Sequence, residues 1–209
     1  MFGVGVAQVD LFHERIAARI RAELSTSVVL WNLGMPSRSN DYITRLLHVA
    51  ISRLDPHLVL INFTHTSRRE YVSVQNRCVN YNPSFQPSDK VVADIFRHFT
   101  ALSSPFDDQL NFYKNYKAVE LLLARRCWLY SNMKRQEIEP VSAHLDLSRY
   151  AGSFQSVDRA RDGRHPGPES HKIVAGRFWD KFIELGGLQS LFAPKSPRAE
   201  RRKGDIAIP

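Results

Sequence analysis

Amphipathic helices alternate with short apolar strands along most of this chain, and that alternation is the strongest constraint on its fold. Helical spacing of apolar residues predicts four main helices: residues 8–24, a helix that is capped within 39–41 and ends at 54, residues 107–126 and residues 168–185. Short apolar runs of the buried-strand type separate them, at Val28–Asn32, His57–Phe63 and Cys127–Ser131. Parallel strands need crossover helices, so the sequence predicts a three-layer α/β/α fold with a mostly parallel, flavodoxin-like sheet.

Length and composition indicate one domain. The chain has 209 residues, of which 43% are hydrophobic, enough for a core without disulfides or metals. We expect a domain over residues 1–190, in which residues 71–106 form an insertion or a cover for the cleft. The two cysteines, Cys78 and Cys127, predict no disulfide framework and favour a reducing compartment. No apolar run is long enough to span a membrane and no signal peptide is evident, so we expect a cytoplasmic protein.

The formal net charge of +8 raises the question of nucleic-acid binding. Much of the excess lies in the last residues, 191–209, where basic side chains stand among Pro and Ala. That composition is typical of a solvated, disordered tail, so nucleic acid is not expected as a partner. No P-loop, dinucleotide-binding glycine motif or Cys-x-x-Cys pair occurs, and no cofactor is predicted.

A carboxylate and an imidazole stand three residues apart just before the last predicted helix. In the sequence Asp162-Gly-Arg-His165-Pro, the carboxylate can hold one ring nitrogen as N–H and leave the other free to accept a proton. Pro166 and Pro168 restrict the backbone where the helix begins. Two other interpretations stay open: a surface histidine with a chance neighbour, and a metal site formed with His171.

This block, Asp-x-x-His-Pro before an amphipathic C-terminal helix, closely resembles the last conserved block of the SGNH/GDSL hydrolases. The resemblance implies hydrolysis or transfer of an acyl group on a small-molecule or carbohydrate-linked ester, with a Ser-His-Asp triad. His165 would be the general base and Asp162 the residue that orients it. No metal ligand set is implied.

Two earlier segments extend the resemblance. Asn32-Leu-Gly34 followed by Ser39-Asn40-Asp41 is similar to the family's second block, which implies that the amide of Gly34 donates to the oxyanion. The third block departs from the family pattern, and His65 or Thr66 is a candidate donor there or simply caps the turn. Asn40 and Arg68, from the same two clusters, are candidate substrate-binding residues.

The nucleophile block of the family is not present in this sequence. Residues 1–6 form a glycine-bearing loop that leads into the first helix, where the family has a strand and a Gly-x-Ser turn before it. The resemblance therefore implies a truncated N-terminus and weak or no esterase activity in this chain. The strands at 28–32 and 57–63 would then either have a vacant place between them or pair directly. The alternative is a non-catalytic binding module with the same fold.

Overall fold

The computed structural model describes residues 5–72, 78–85 and 87–191. The expected α/β class is confirmed: three parallel strands form a sheet, and helices pack on both of its faces. The strands are β1 (Leu58–Phe63), β4 (Cys127–Asn132) and β5 (Tyr150–Ser153), in the order β1-β4-β5. A separate antiparallel hairpin joins β2 (Arg69–Val72) to β3 (Cys78–Tyr81).

Seven α-helices lie within the described residues, namely α1 (Phe12–Leu24), α2 (Asn40–Leu54), α3 (Lys90–Leu102), α4 (Pro105–Leu122), α5 (Arg135–Ile138), α6 (Pro168–Glu184) and α7 (Gly187–Ser190). Three short 3-10 segments accompany them, at Gln8–Asp10, Glu139–His144 and Leu147–Arg149. The predicted main helices are confirmed with shifted ends. The long helix begins at Pro105 rather than at residue 107, because Ser104 caps it.

Alternating side chains of the middle strand divide the core into two layers. Trp128 and Tyr130 of β4 pack with α2 and α4 on one face of the sheet. Leu129, the residue between them, is fully buried on the other face, where α1 and α6 pack against each other. This strict alternation is the strand period of two, and it gives the three-layer arrangement that the sequence predicted.

The strand predicted at Val28–Asn32 is not formed, and this corrects the sequence analysis. Residues 27–35 have no regular secondary structure, and the side chains of Val29 and Trp31 are 70% and 49% exposed. Within the described residues β1 pairs only with β4, so its other edge carries no strand. A backbone segment of strand-like composition becomes a strand only when a neighbour accepts its hydrogen bonds, and in the described part of the chain no strand pairs with this segment.

An open groove of about 930 Å³ follows the unpaired edge of β1. Its walls are α1, α2 and residues 26–38, and its floor includes Leu58–Asn62. The sequence analysis expected either a vacant place beside β1 or direct pairing of β1 with residues 28–32. Direct pairing does not occur, and the groove lies between these two segments.

The expected insertion at residues 71–106 contains most of the hairpin and all of α3. Tyr71 stacks on Phe99 with ring centroids 3.9 Å apart, and Tyr81 contacts both Phe96 and Phe99. This aromatic cluster attaches α3 to the hairpin. The hairpin itself was not predicted. The basic tail at 192–209 lies outside the described residues.

Candidate active site

Asp162 and His165 make the predicted contact. Oδ2 of Asp162 accepts a hydrogen bond from Nδ1 of His165, while Oδ1 accepts the backbone amides of Arg164 and His165, each at 3.0 Å. The hydrogen bond from His165 and these two amides hold the pKa of the Asp162 carboxyl far below its usual range. The carboxylate is therefore ionised. It holds the proton of the neutral imidazole on Nδ1, which leaves Nε2 of His165 as the proton acceptor.

The imidazole of His165 faces both solvent and the groove. Its side chain is 52% exposed, and His165 and Pro166 belong to the groove lining. The pair follows β5 in the chain and precedes α6, so it lies in a loop that leaves a carboxyl end of the sheet. Ligands in open α/β sheets bind at this edge, which makes the position suitable for proton transfer to or from a bound molecule.

Asp158 holds this loop to α6, and the sequence analysis did not identify it. Its carboxylate accepts the backbone amides of Glu169 and Ser170 at 2.9 and 2.8 Å and the hydroxyl of Ser170 at 2.5 Å. The Ser170 hydroxyl, and then these amides, lower the pKa of Asp158. A carboxylate at a helix N-terminus stabilises the helix. Here the carboxylate lies twelve residues before Ser170, so no short sequence pattern predicts the contact.

The base of the same loop is closed by backbone contacts. The amide of Ala160 donates to the carbonyl of His165 at 2.8 Å, and the amide of Gly167 donates to the carbonyl of Asp158 at 3.1 Å. A Cβ on Gly167 would overlap the Asp158 carboxylate and the Arg159 carbonyl. Glycine is required at this position because two segments of backbone approach each other there.

Gly34 lines the same groove as His165. Its amide donates to Oδ1 of the Asn32 side chain at 3.1 Å, and so it already has an acceptor. An oxyanion at this site would have to replace the Asn32 oxygen. The structure thus brings Gly34 and His165 to one groove, but the amide of Gly34 already donates to Asn32.

His65 and Thr66 turn towards Glu137 of α5, the short helix after β4. Nδ1 of His65 donates to Oε1 of Glu137 at 2.7 Å, and the amide of Thr66 donates to Oε2 at 3.2 Å. Burial acts to raise the pKa of Glu137, but these hydrogen bonds outweigh it and lower the pKa. Glu137 fixes both candidate donors at the end of β1, and the sequence analysis missed it because 72 residues separate it from His65.

Asn40 and Arg68, the candidate substrate-binding residues, differ in their surroundings. Asn40 is completely buried, and its side chain bonds to the backbone of Thr64 at the end of β1. Arg68 lines the groove with Thr64, to which its Nη1 donates at 2.7 Å. Asn40 therefore supports the chain where the site is formed, whereas Arg68 borders the open volume.

His171, the third residue of the metal interpretation, lies in the core. It is 1% exposed, and its ring packs beside Phe12 and Phe154. Its Nδ1 accepts the amide of Phe12 at 3.4 Å. Among residues 5–72, 78–85 and 87–191, no three or more His, Cys, Asp or Glu side chains are grouped so as to hold a metal ion.

Comparison with known proteins gives no relative: no family model, no curated protein and no solved structure matches this chain. Within the part of the chain that is described, no helix combines the length and apolar character needed to cross a membrane. Cys78 and Cys127 are both free thiols. A functional interpretation therefore depends on the residues around the groove.

Proposed function

We propose that this chain carries the histidine–aspartate half of an SGNH/GDSL-type ester hydrolase site. The contact between Asp162 and His165, with the imidazole half exposed on the groove, is the observation that supports this proposal. The substrate would be a small-molecule or carbohydrate-linked ester.

In the proposed reaction, Nε2 of His165 takes the proton of a serine hydroxyl as its oxygen attacks the ester carbonyl. The tetrahedral intermediate collapses, the C–O bond to the alcohol breaks, and the imidazolium gives the proton to the departing alkoxide. Water then attacks the acyl-enzyme by the same proton transfers and releases the acid. Asp162 keeps the ring oriented and stabilises the imidazolium in each step.

The hydroxyl nucleophile is the component that the described residues do not provide. No hydroxyl among them hydrogen-bonds to Nε2 of His165. We propose that it is carried at the end of an extra strand that pairs with the free edge of β1. The groove runs along six-residue β1, so a strand of similar length has room to pair with that edge.

The negative charge of the intermediate would be stabilised by the amide of Gly34 once Asn32 releases it. His65 and Thr66 are weaker candidates for this role, because they are not in the groove lining and their donors serve a carboxylate, Glu137, rather than an amide oxygen. One backbone donor at such a position is worth about 100-fold or more in rate.

Turnover of 4-nitrophenyl acetate tests the proposal. We expect the 209-residue chain to be inactive or weak, and a longer form that begins with an apolar strand and a Gly-x-Ser turn to be active. The matched control is the same longer form with that serine changed to alanine, which should be as inactive as the short chain. Equal turnover by the short and long forms, dependent on His165, would place the nucleophile within residues 1–209 and refute the added-strand proposal.

A second candidate is a binding module without catalysis. The free edge of β1 favours it, because exposed strand edges accept extended peptides through backbone hydrogen bonds. The longer form would then show no turnover, while an extended peptide added to the 209-residue chain would slow hydrogen exchange at the β1 amides. Retention on heparin that is lost on deletion of residues 194–209 would assign binding to the basic tail instead.

A further inference from the structure

Arg68 differs from the neighbouring arginines in having no carboxylate partner in a hydrogen bond. Arg69 donates to Asp107 and Asp108 at 2.7 and 2.9 Å, and Arg45 donates to Glu70 at 2.8 and 3.0 Å. Arg68 donates only from Nη1, to the hydroxyl of Thr64. Its Nε is buried and lacks a hydrogen-bond partner.

The unpartnered side of this guanidinium has a defined geometry. With Nη1 on Thr64, the remaining edge is formed by Nε and Nη2, and neither donates to an acceptor among the described residues. Two parallel N–H groups on one edge match the two oxygens of a carboxylate or phosphate group. A buried donor without an acceptor costs free energy, so a hydrogen bond from Nε of Arg68 to an incoming oxyanion would be favourable.

The electrostatics of the groove favour an anion at the same place. The lining contains Arg38 and Arg68, and its acidic residue, Asp55, is paired with Arg126 at 2.8 Å. Asp55 precedes β1 and Arg68 follows it, so the length of the strand, about 20 Å, lies between them. Burial lowers the pKa of Arg68, although the charge of Glu137 acts to raise it. The oxygens of Glu137 already accept hydrogen bonds from His65 and Thr66.

We propose that Arg68 binds an oxyanion group, a carboxylate or a phosphate, on the ligand that enters the groove. This inference rests on the proposed function for its substrate class: esters that carry a negative charge besides the ester bond. Arg68 would hold the charged group at the carboxyl end of β1, beyond the place of the added strand, and the ester would extend from there towards His165, which lines the same groove.

Paired probes that differ in one charge test this assignment. Monomethyl succinate carries an ester and a carboxylate, dimethyl succinate is its neutral counterpart, and inorganic phosphate tests for a phosphate group. Binding is followed by chemical-shift changes in NMR titrations at low salt, which require no turnover. We expect the chain to bind monomethyl succinate or phosphate more tightly than dimethyl succinate, and Arg68→Gln to weaken anion binding by about 10- to 100-fold.

Two further variants complete the test. Arg53→Gln removes an equal charge from an exposed position on α2 outside the groove and should leave binding unchanged. Arg68→Lys keeps the positive charge but lacks the two parallel N–H donors of the guanidinium, so it should bind the anion with intermediate affinity. Equal binding of the charged and neutral esters, no binding of any probe, or anion affinity unchanged in Arg68→Gln would overturn the proposal. His165→Ala should bind the anion as tightly as the parent does. Anion binding therefore tests the role of Arg68, and turnover tests the hydrolase proposal separately.

Discussion

The side chain of Asn40 forms a reciprocal pair of hydrogen bonds with the backbone of Thr64. Its Oδ1 accepts the Thr64 amide at 2.9 Å, and its Nδ2 donates to the Thr64 carbonyl at 3.4 Å. The first residue of α2 thereby satisfies the backbone where β1 ends. Thr64, Arg68 and the rim of the groove depend on this connection for their position.

Replacing Asn40 by alanine should destabilise the protein by about 1–3 kcal/mol, because it leaves the Thr64 amide without its acceptor. Asn32→Ala is the matched control: Asn32 is exposed, so the free energy of unfolding should change by less than about 0.5 kcal/mol. Urea denaturation measures both. Asn32→Ala should also speed hydrogen exchange at Gly34, whose amide loses its acceptor. Equal stability losses in the two variants would contradict the role given to Asn40.

Gly167→Ala should destabilise the loop that carries Asp162 and His165. The added methyl group has no room between Asp158 and Arg159, and overpacking of this kind costs about 1–3 kcal/mol. The control lies in α6, where a Cβ at Gly176 would meet no atom within 4 Å. Gly176→Ala should stabilise the protein by roughly 0.5–1 kcal/mol, since alanine favours the helix. Thermal unfolding of both variants tests the contrast; a lower melting temperature for Gly176→Ala would contradict it.

Two buried histidines should make the protein sensitive to mild acid. Burial lowers the pKa of His13 and of His171 to about 4, from an ordinary value of 6.5. Between these values the unfolded chain binds more protons than the folded one, so the free energy of unfolding falls as pH drops from 6.5 towards 4. Above pH 6.5 both groups are neutral in both states, and they add no pH dependence there.

Since one pKa unit corresponds to about 1.4 kcal/mol and each of the two histidines is lowered from 6.5 to about 4, we expect a loss of roughly 5–7 kcal/mol over that interval. Urea denaturation at pH 7, 5.5 and 4.5 measures it. The double variant His13→Gln/His171→Gln removes both titrating groups and should flatten the dependence, whatever its absolute stability. The same slope in the double variant would show that other groups are responsible.

The contact between Asp162 and His165 could be predicted from the sequence because only three positions separate the two residues. An Asp three residues before a His can contact it within one loop, and Asp162 and His165 do so. Asp158 and Glu137 act on residues 12 and 72 positions away, and these contacts depend on how the helices close over the sheet. Nothing in the neighbouring sequence marks them.

The strands show the same limit. β1 and β4 are apolar runs and were predicted, whereas β5 contains Gly152 and Ser153 and has no apolar pattern; it forms because β4 offers a pairing edge. Residues 28–32 have the composition of a buried strand, but the groove separates them from the free edge of β1. Apolar composition predicts burial well, but strand formation also depends on a partner elsewhere in the chain.

The account depends most on His165 as the proton acceptor. Its imidazole is half exposed and belongs to neither core cluster, so His165→Ala should leave the melting temperature within a few degrees of the parent. The decisive measurement is kcat/KM for 4-nitrophenyl acetate with the longer, serine-bearing form and its His165→Ala variant. The account predicts a loss of about 10²- to 10⁴-fold in the variant. Equal values of kcat/KM in two equally folded proteins would contradict it.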